Sequence, residues 1–265
     1  MLSAEVADRV ENADIDYMTA RIAALAGLPG NPHDAHVRRA GDATALLVGA
    51  DPNPFYNNVM GMTATSVEHL AELGEWYAEH DIVLRVDVTP QASDDALYAA
   101  LGAAGLGHVG FFGALCGAAD VIARDTTGSP DGMTIEPADI EEFASVYVQG
   151  LQYAAARAAT MTASVLVLSS VLGVHLFRAR SGGTTIGVGL LHVCGRTAYL
   201  AAASTLAEAR GRGAQLALIT RRAEFAAELG CDLVVGHAAF GSSSQRNLER
   251  AGLQMAYTKA LWARP

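Results

Sequence analysis

Lysine is almost missing. Of the 18 basic residues in this 265-residue chain, 17 are arginine and one, Lys259, is lysine. Without a lysine in context there is no GxxxxGK[ST] phosphate loop. Cysteine is also scarce. Cys116, Cys194 and Cys231 form an odd set with no CxxC spacing. Such a set argues against a disulfide framework or a cysteine zinc site, and for a reducing compartment. Positive charge is outweighed by 28 Asp and Glu, for a net charge of −10. An acidic chain is a poor general nucleic-acid binder, because phosphate neutralisation needs a positive surface. The start, Met1-Leu2-Ser3-Ala4-Glu5, lacks the basic and apolar segments of a signal peptide. A cytoplasmic address is therefore expected. No GxSxG, HExxH or EF-hand pattern occurs.

What is present is a hydrophobic fraction of 51%, which rules out a disordered chain. Two uncharged stretches, Ala96–Ala119 and Ala158–Phe177, are long enough to span a bilayer. Each changes from a helical to a strand-like pattern midway, so no membrane insertion is expected. Charge is unevenly spread. Residues 1–130 carry 18 acidic and 6 basic side chains (−12), and residues 131–265 carry 10 and 12 (+2), which together give the −10. The polar Gly/Pro/Ser stretch 125–132 between them reads as a linker. Two domains, 1–130 and 131–265, are expected.

The second half alternates helical and strand periodicity. Met133–Glu136 reads as a strand. Asp139 caps a helix reaching Gln149, with Glu142 completing a capping box. A helix over 154–167 follows, then strands over 171–178, 184–193 and 197–204. Next come a helix over 213–229 ended by Gly230, a strand over 232–236, a helix over 242–250 and a last strand over 253–262. The order is β-α-α-β-β-β-α-β-α-β, a mixed α/β pattern.

Arg210-Gly211-Arg212-Gly213-Ala214-Gln215 lies between a strand and a helix. The first N–H groups of a helix have no internal partner, and the macrodipole adds partial positive charge there. Gly211 and Gly213 allow backbone N–H groups to approach an anion closely. Arg210, Arg212, Arg221 and Arg222 add charge. A Rossmann fingerprint fails, since Leu216 takes the place of its third glycine.

Residues 133–263 resemble an acetyltransferase of the GNAT superfamily in element order and in this loop. The family's Arg/Gln-x-x-Gly-x-Gly/Ala signature appears as Arg210-x-x-Gly213-x-Gln215, with Gln215 in place of a small residue. The resemblance implies an acyl-CoA N-acyltransferase fold, with a mixed, mostly antiparallel sheet flanked by helices. It implies an N-acetyltransferase that moves an acetyl group from acetyl-CoA directly to a primary amine, with no metal. By the same resemblance, Arg210, Gly211, Arg212, Gly213, Ala214 and Gln215 hold the pyrophosphate. The backbone of Thr205 and Leu206 pairs with the pantetheine arm, and Asn247 lies on a helix that often contacts CoA. The acceptor is a small-molecule or peptide amine.

The family's usual acid is a Tyr four residues before the Gly that precedes the last strand. Here that Gly is Gly252, and the matching position is Leu248. Tyr257 is a substitute acid, or a half-buried strand tyrosine. His237 is a candidate base, or a structural histidine. Glu208 is a relay for the acceptor's proton, or a solvated loop residue. The missing tyrosine leaves open an alternative, a CoA-binding regulatory or structural protein without catalysis.

The first half reads as a diverged copy. Residues 56–116 repeat part of the order, with strands at 56–62, 82–89 and 106–115 and helices at 66–79 and 93–103. The segment matching the anion loop, Gly61-Met62-Thr63-Ala64-Thr65-Ser66, has no arginine. The following helix carries Glu68, Glu72, Glu75 and Glu79, so this half is not expected to bind CoA. His33-Asp34-Ala35-His36 reads as a surface turn, and no metal is expected, because a metal site needs three or four convergent ligands. The last strand would leave a sheet edge open unless the first half or another subunit covered it. The chain is expected as a monomer with pseudo-dimeric halves or as a homodimer.

Overall fold

The computed structural model describes residues 3–124 and 132–264. Residues 125–131 of the expected linker lie outside the described residues. The chain forms two compact units, Met1–Ala114 with Ala256–Pro265, and Leu115–Met255. The sequence reading divides the chain once, near residue 130. The compact units divide it between Ala114 and Leu115, and again between Met255 and Ala256.

The first unit opens with α1 (Ala4–Ala26), whose first turn is capped by Ser3 through a 3.2 Å bond from the Val6 N–H. β1 (Ala35–Ala40), β2 (Ala43–Val48) and β3 (Asn58–Met60) follow as an antiparallel meander. A 3-10 turn at Ala64–His69 leads into α2 (Leu70–Glu79), and β4 (Arg85–Val88) returns parallel to β3. α3 (Asp95–Ala103) is capped by Asp94 and precedes β5 (Gly107–Ala118). The core gathers Leu47, Val59, Leu73, Tyr77, Val86, Leu97 and Leu101.

The second unit holds α4 (Ala119–Arg124), β6 (Met133–Pro137), α5 (Ile140–Leu151) and α6 (Ala155–Leu166). β7 (Val174–Ser181), β8 (Thr184–Cys194) and β9 (Thr197–Thr205) are antiparallel neighbours. α7 (Ala214–Glu228) leads to β10 (Leu233–Ala239), which lies parallel to β9, and then to α8 (Ser243–Arg250). Asp139 caps α5 as the sequence indicates, accepting the Glu142 N–H at 2.8 Å. The capping box does not close, because the Glu142 carboxylate bonds Thr185 and Arg178 instead.

The last strand, β11 (Gln254–Ala263), follows α8 in sequence, but from Ala256 onward it belongs to the first unit. There it pairs antiparallel with β4, Ala260 opposite Val88 and Trp262 opposite Val86. The first half therefore does cover the last strand. Conversely, the end of β5 and α4 belong to the second unit, where the Ala119 N–H donates to the Asp232 carbonyl at 3.1 Å.

The two units repeat one topology. Three antiparallel strands are followed by a loop, a helix and a parallel strand: β1-β2-β3-α2-β4 in one and β7-β8-β9-α7-β10 in the other. The repeat therefore starts well before residue 56, with β1 and β2. The two uncharged stretches resolve into α3 with β5 and into α6 with β7. Among the described residues no helix is long and apolar enough to cross a membrane.

Candidate active site

β9 and β10 pair only from Thr197 to Leu200, opposite Leu233 to Gly236. β9 then runs on to Thr205 and β10 to Ala239 without pairing to each other, so the sheet opens at that level. The opening coincides with a bulge. Between the pairs Leu190–Ala201 and Val188–Ser204, β9 has two residues, Ala202 and Ala203, against the single Gly189 of β8. Ala202 sits at φ +38°, a left-handed conformation that a side chain rarely adopts. A bulge breaks the ladder and re-aims backbone groups, which is a common device beside active sites.

Arg222 explains how the bulge is held. This side chain of α7 is 1% exposed. Its guanidinium donates to the carbonyls of Leu218 (3.0 Å), Leu190 (2.7 Å) and Ala201 (3.4 Å). Gly189 makes room for it, since a Cβ there would lie 2.7 Å from the Arg222 Cζ. Burial pulls its pKa below the ordinary arginine value. Arg222 therefore contributes no charge to the loop surface, which corrects the sequence reading. Arg221 is also diverted, pairing with Glu224 at 3.3 Å and Glu228 at 2.9 Å.

The loop itself lies at the end of β9. Gly213 is the N-cap of α7 at φ +82°, and α7 begins without a side-chain cap. Gly211 is at φ +78°, and a Cβ there would meet nothing within 4 Å. Gly211, Arg212 and Gly213 are exposed, while Ala214 is buried as the first helical residue. The α7 N-terminus thus presents backbone donors to solvent.

The neighbouring side chains brace the loop. Arg210 donates to the carbonyl of Gly150 at 2.8 Å and of Thr205 at 3.4 Å. Arg212 reaches Ser181 Oγ at 3.0 Å. Gln215 occupies the place of a small residue by turning its amide back onto Ser204 O and Thr205 Oγ1, both at 2.9 Å. α5 packs tightly against the same strand end. A Cβ on Gly150 would lie 2.7 Å from Ser204 Oγ, which itself donates to Val146 O at 3.2 Å.

Thr205 and Leu206 are less open than expected. The Leu206 N–H donates to Ile186 O at 2.9 Å, and the Leu206 carbonyl accepts from Ala209 N–H at 3.0 Å. Those groups already have partners within the fold. The opening between β9 and β10 begins upstream, at Ala201–Ala203.

The remaining candidates separate. His237 stands on β10 one residue beyond the paired segment, with Nδ1 3.2 Å from the hydroxyl of Tyr199 on β9. Tyr199 was not singled out from the sequence. Its signal was period two: it faces Val235, two residues before His237, so the two side chains share a face. Glu208 is exposed on a 3-10 turn beside the loop. Asn247 is half-buried on α8, its Oδ1 3.4 Å from Arg250 Nη1. Leu248 is buried, and a Cβ on Gly236 would lie 2.9 Å from its Cδ2. A leucine therefore packs on the last paired residue of β10, at the position where the resemblance led one to look for a tyrosine.

The last candidate is Tyr257. It lies in the first unit, 7% exposed, and donates to Glu11 Oε2 at 3.1 Å. It belongs to a buried ionic group there. Lys259 is fully buried, 2.7 Å from Glu11 Oε2 and 2.9 Å from Asp14 Oδ2. Burial alone would lower the Lys259 pKa, but the carboxylates of Asp14, Glu11 and Asp87 outweigh it and raise the value. A groove of about 560 Å³ between α5 and α6 includes none of the sequence-assigned residues.

No family model matches the sequence, and no curated protein matches it. Solved structures do. A GCN5-related N-acetyltransferase from Kribbella flavida superposes with TM-score 0.67 at 16% identity, over 96% of this chain and 95% of that one. A tandem GNAT protein from the clavulanic acid biosynthesis pathway gives 0.64 at 17%, over 95% and 94%. A GCN5-related N-acetyltransferase from Sphaerobacter thermophilus gives 0.54 at 15%, over 84% and 80%. Bulged β9, its divergence from β10 and the glycine-capped α7 thus belong to a chain with the tandem fold of GCN5-related N-acetyltransferases.

Proposed function

We propose that the second unit binds acetyl-CoA and transfers its acetyl group directly to a primary amine. The observation that carries this is the coincidence of two features. The uncapped N-terminus of α7, opened by Gly211 and Gly213, lies directly after the strand that splays from β10. The pyrophosphate would take the backbone N–H groups of Gly211 to Gln215, with Arg212 free to turn from Ser181 toward it. The pantetheine arm would pair with β9 beyond Leu200, at Ala201–Ala203, in place of Thr205 and Leu206. Bulge N–H groups there can stabilise the oxygen of the thioester carbonyl as charge develops.

His237 is the proposed base, oriented by Tyr199, and it takes the proton the amine loses as its nitrogen bonds the acetyl carbon. Glu208, beside the loop, relays the acceptor's proton onward through water, and the departing thiolate takes a proton from water in turn. Asn247 remains a proposed contact for CoA from α8. The acceptor is a small-molecule or peptide amine, and the acidic first half favours a cationic one.

A second reading, acyl-CoA binding without transfer, is supported by Leu248. Calorimetry with acetyl-CoA on the intact chain separates the two, followed by thiol release across a panel of amines. Binding with release supports transfer. Binding without release supports the second reading. An intact chain that binds no acetyl-CoA overturns both. A chain carrying Arg210→Ala with Gly213→Glu is expected to lose binding.

A further inference from the structure

The first unit contains a cluster that the acetyl-transfer reading does not use. Asp34, His36 and His80 meet although they come from a turn, from β1 and from the end of α2. His36 Nε2 lies 2.7 Å from Asp34 Oδ1, and His80 Nδ1 lies 2.8 Å from Asp34 Oδ2. One ligand atom from each residue can be chosen so that all three lie within 4.8 Å of one another. The imidazole centroids are 5.1 Å apart.

The carboxylate is fixed by its surroundings. Asp34 sits at φ +48° in a turn closed by its N–H on Asn31 O at 3.0 Å. Asn31 clasps the next residue, its side chain bonding Ala35 N–H at 2.9 Å and Ala35 O at 3.1 Å. Gly49 leaves the space the carboxylate needs, since a Cβ there would fall 2.2 Å from Asp34 Oδ2. Trp76 stands edge-on to both histidines, at 6.4 Å from His36 and 5.9 Å from His80.

We propose that Asp34, His36 and His80 bind one Zn²⁺, with water completing the coordination. Two imidazole nitrogens and one carboxylate oxygen are a donor set that zinc takes. Magnesium and calcium prefer oxygen alone. The side chains are 47%, 39% and 21% exposed, so the remaining position faces solvent. Zinc bonds of about 2.0–2.2 Å at tetrahedral angles set ligand atoms roughly 3.3 Å apart. To reach that spacing the two hydrogen-bonded contacts lengthen by about half an ångström while ligand atoms up to 4.8 Å apart draw together, by rotamer adjustment of partly exposed side chains. Each metal-bound imidazole then carries its proton on the other ring nitrogen, and the single hydrogen bond that each makes to Asp34 gives way to metal bonds.

The test uses the full chain, stripped with EDTA and titrated with ZnCl₂ by calorimetry. One Zn²⁺ per chain at micromolar Kd or tighter is expected. Asp34→Asn and His80→Ala should each weaken it at least tenfold, with circular dichroism unchanged. Ni²⁺ should quench Trp76 fluorescence, and the quench should survive Trp262→Phe and disappear in the double variant His36→Gln, His80→Gln. Stoichiometric zinc binding that survives this double variant would place the ion elsewhere. That result, or affinity no tighter than about millimolar, would leave the cluster a hydrogen-bonded clip and overturn the proposal. Acetyl-CoA binding is measured separately and is not required for either outcome.

Discussion

The two units have the same strand–loop–helix–strand connection, yet the two loops receive negative charge differently. In the first unit the helical segment after β3 is capped by its own side chains. Thr63 and Ser66 form a reciprocal capping box, and the Thr65 hydroxyl donates to Asp42 Oδ2 at 3.0 Å, with Thr63 donating to the same oxygen. In the second unit α7 has no side-chain cap, and two glycines and two arginines surround its start. A helix start attracts an anion in either case. One unit answers with a carboxylate of the chain, and the other leaves the backbone donors of α7 without a side-chain cap.

The buried cations differ in the same sense. Lys259 is matched by carboxylates, whereas Arg222 is matched by backbone carbonyls. The largest expected effect is therefore Lys259→Met, which takes the ammonium away from the buried Glu11 and Asp14 and should cost about 3–5 kcal/mol in urea unfolding at pH 7. Burial raises the folded Glu11 pKa, and loss of the ammonium raises it further, so the deficit is full above that value and should shrink as pH falls through it. In the parent, the raised Lys259 pKa gives stability that is complete below the unfolded lysine value and lost as pH rises through the folded one.

Arg222→Met should cost about 2–4 kcal/mol by leaving carbonyls at the bulge without a donor. Its deficit should stay level between pH 7 and 5. A deficit that shrank with acid would show that a carboxylate, not the bulge, is its partner. Next in size, Arg210→Ala should weaken acetyl-CoA at least tenfold, about 1.4 kcal/mol, by freeing the loop from Gly150. The same calorimetry on Asp42→Asn should show no new site. A second acetyl-CoA site in that variant would break the contrast, because the first loop would then be merely obstructed.

The smallest effect concerns Asp42 itself. Burial pushes its pKa up, but hydrogen bonds from Ser66, Thr63 and Thr65 outweigh this and hold it below the ordinary value. Its contribution is present above the unfolded carboxylate pKa of about 3.9 and is lost as pH falls through the folded value. Acid titration of unfolding should show the parent and Asp42→Asn converging as pH falls through the folded Asp42 value.

Local signals made most of the second unit legible. Asp139, Gly213 and Gly230 mark helix ends through short-range hydrogen bonds, and these fall where their residue types indicate. The first 55 residues gave no such reading. α1 hides because its buried face includes Glu11, Asp14 and Arg21, which blunt the apolar stripe. Tyr257 lies on the last strand as its pattern indicates, but its partner could not be read locally, because Glu11 is 246 residues away. Arg221 and Arg222 follow the loop closely in sequence. Helical geometry nevertheless turns one onto Glu224 and Glu228 and drives the other into the interior. Asp34 and His36 were visible as a pair, while the third member, His80, required the fold.

The path of β11 has a consequence for synthesis. The first unit contains Ala256 onward, so it lacks a strand and its buried lysine until the ribosome has passed almost the whole described chain. Until then, β4 has an open edge and Glu11 and Asp14 have no ammonium beside them. The half that is made first is therefore completed last. A ribosome-bound nascent chain stalled before residue 250 should expose α1 to protease even though every residue of that helix has long since emerged.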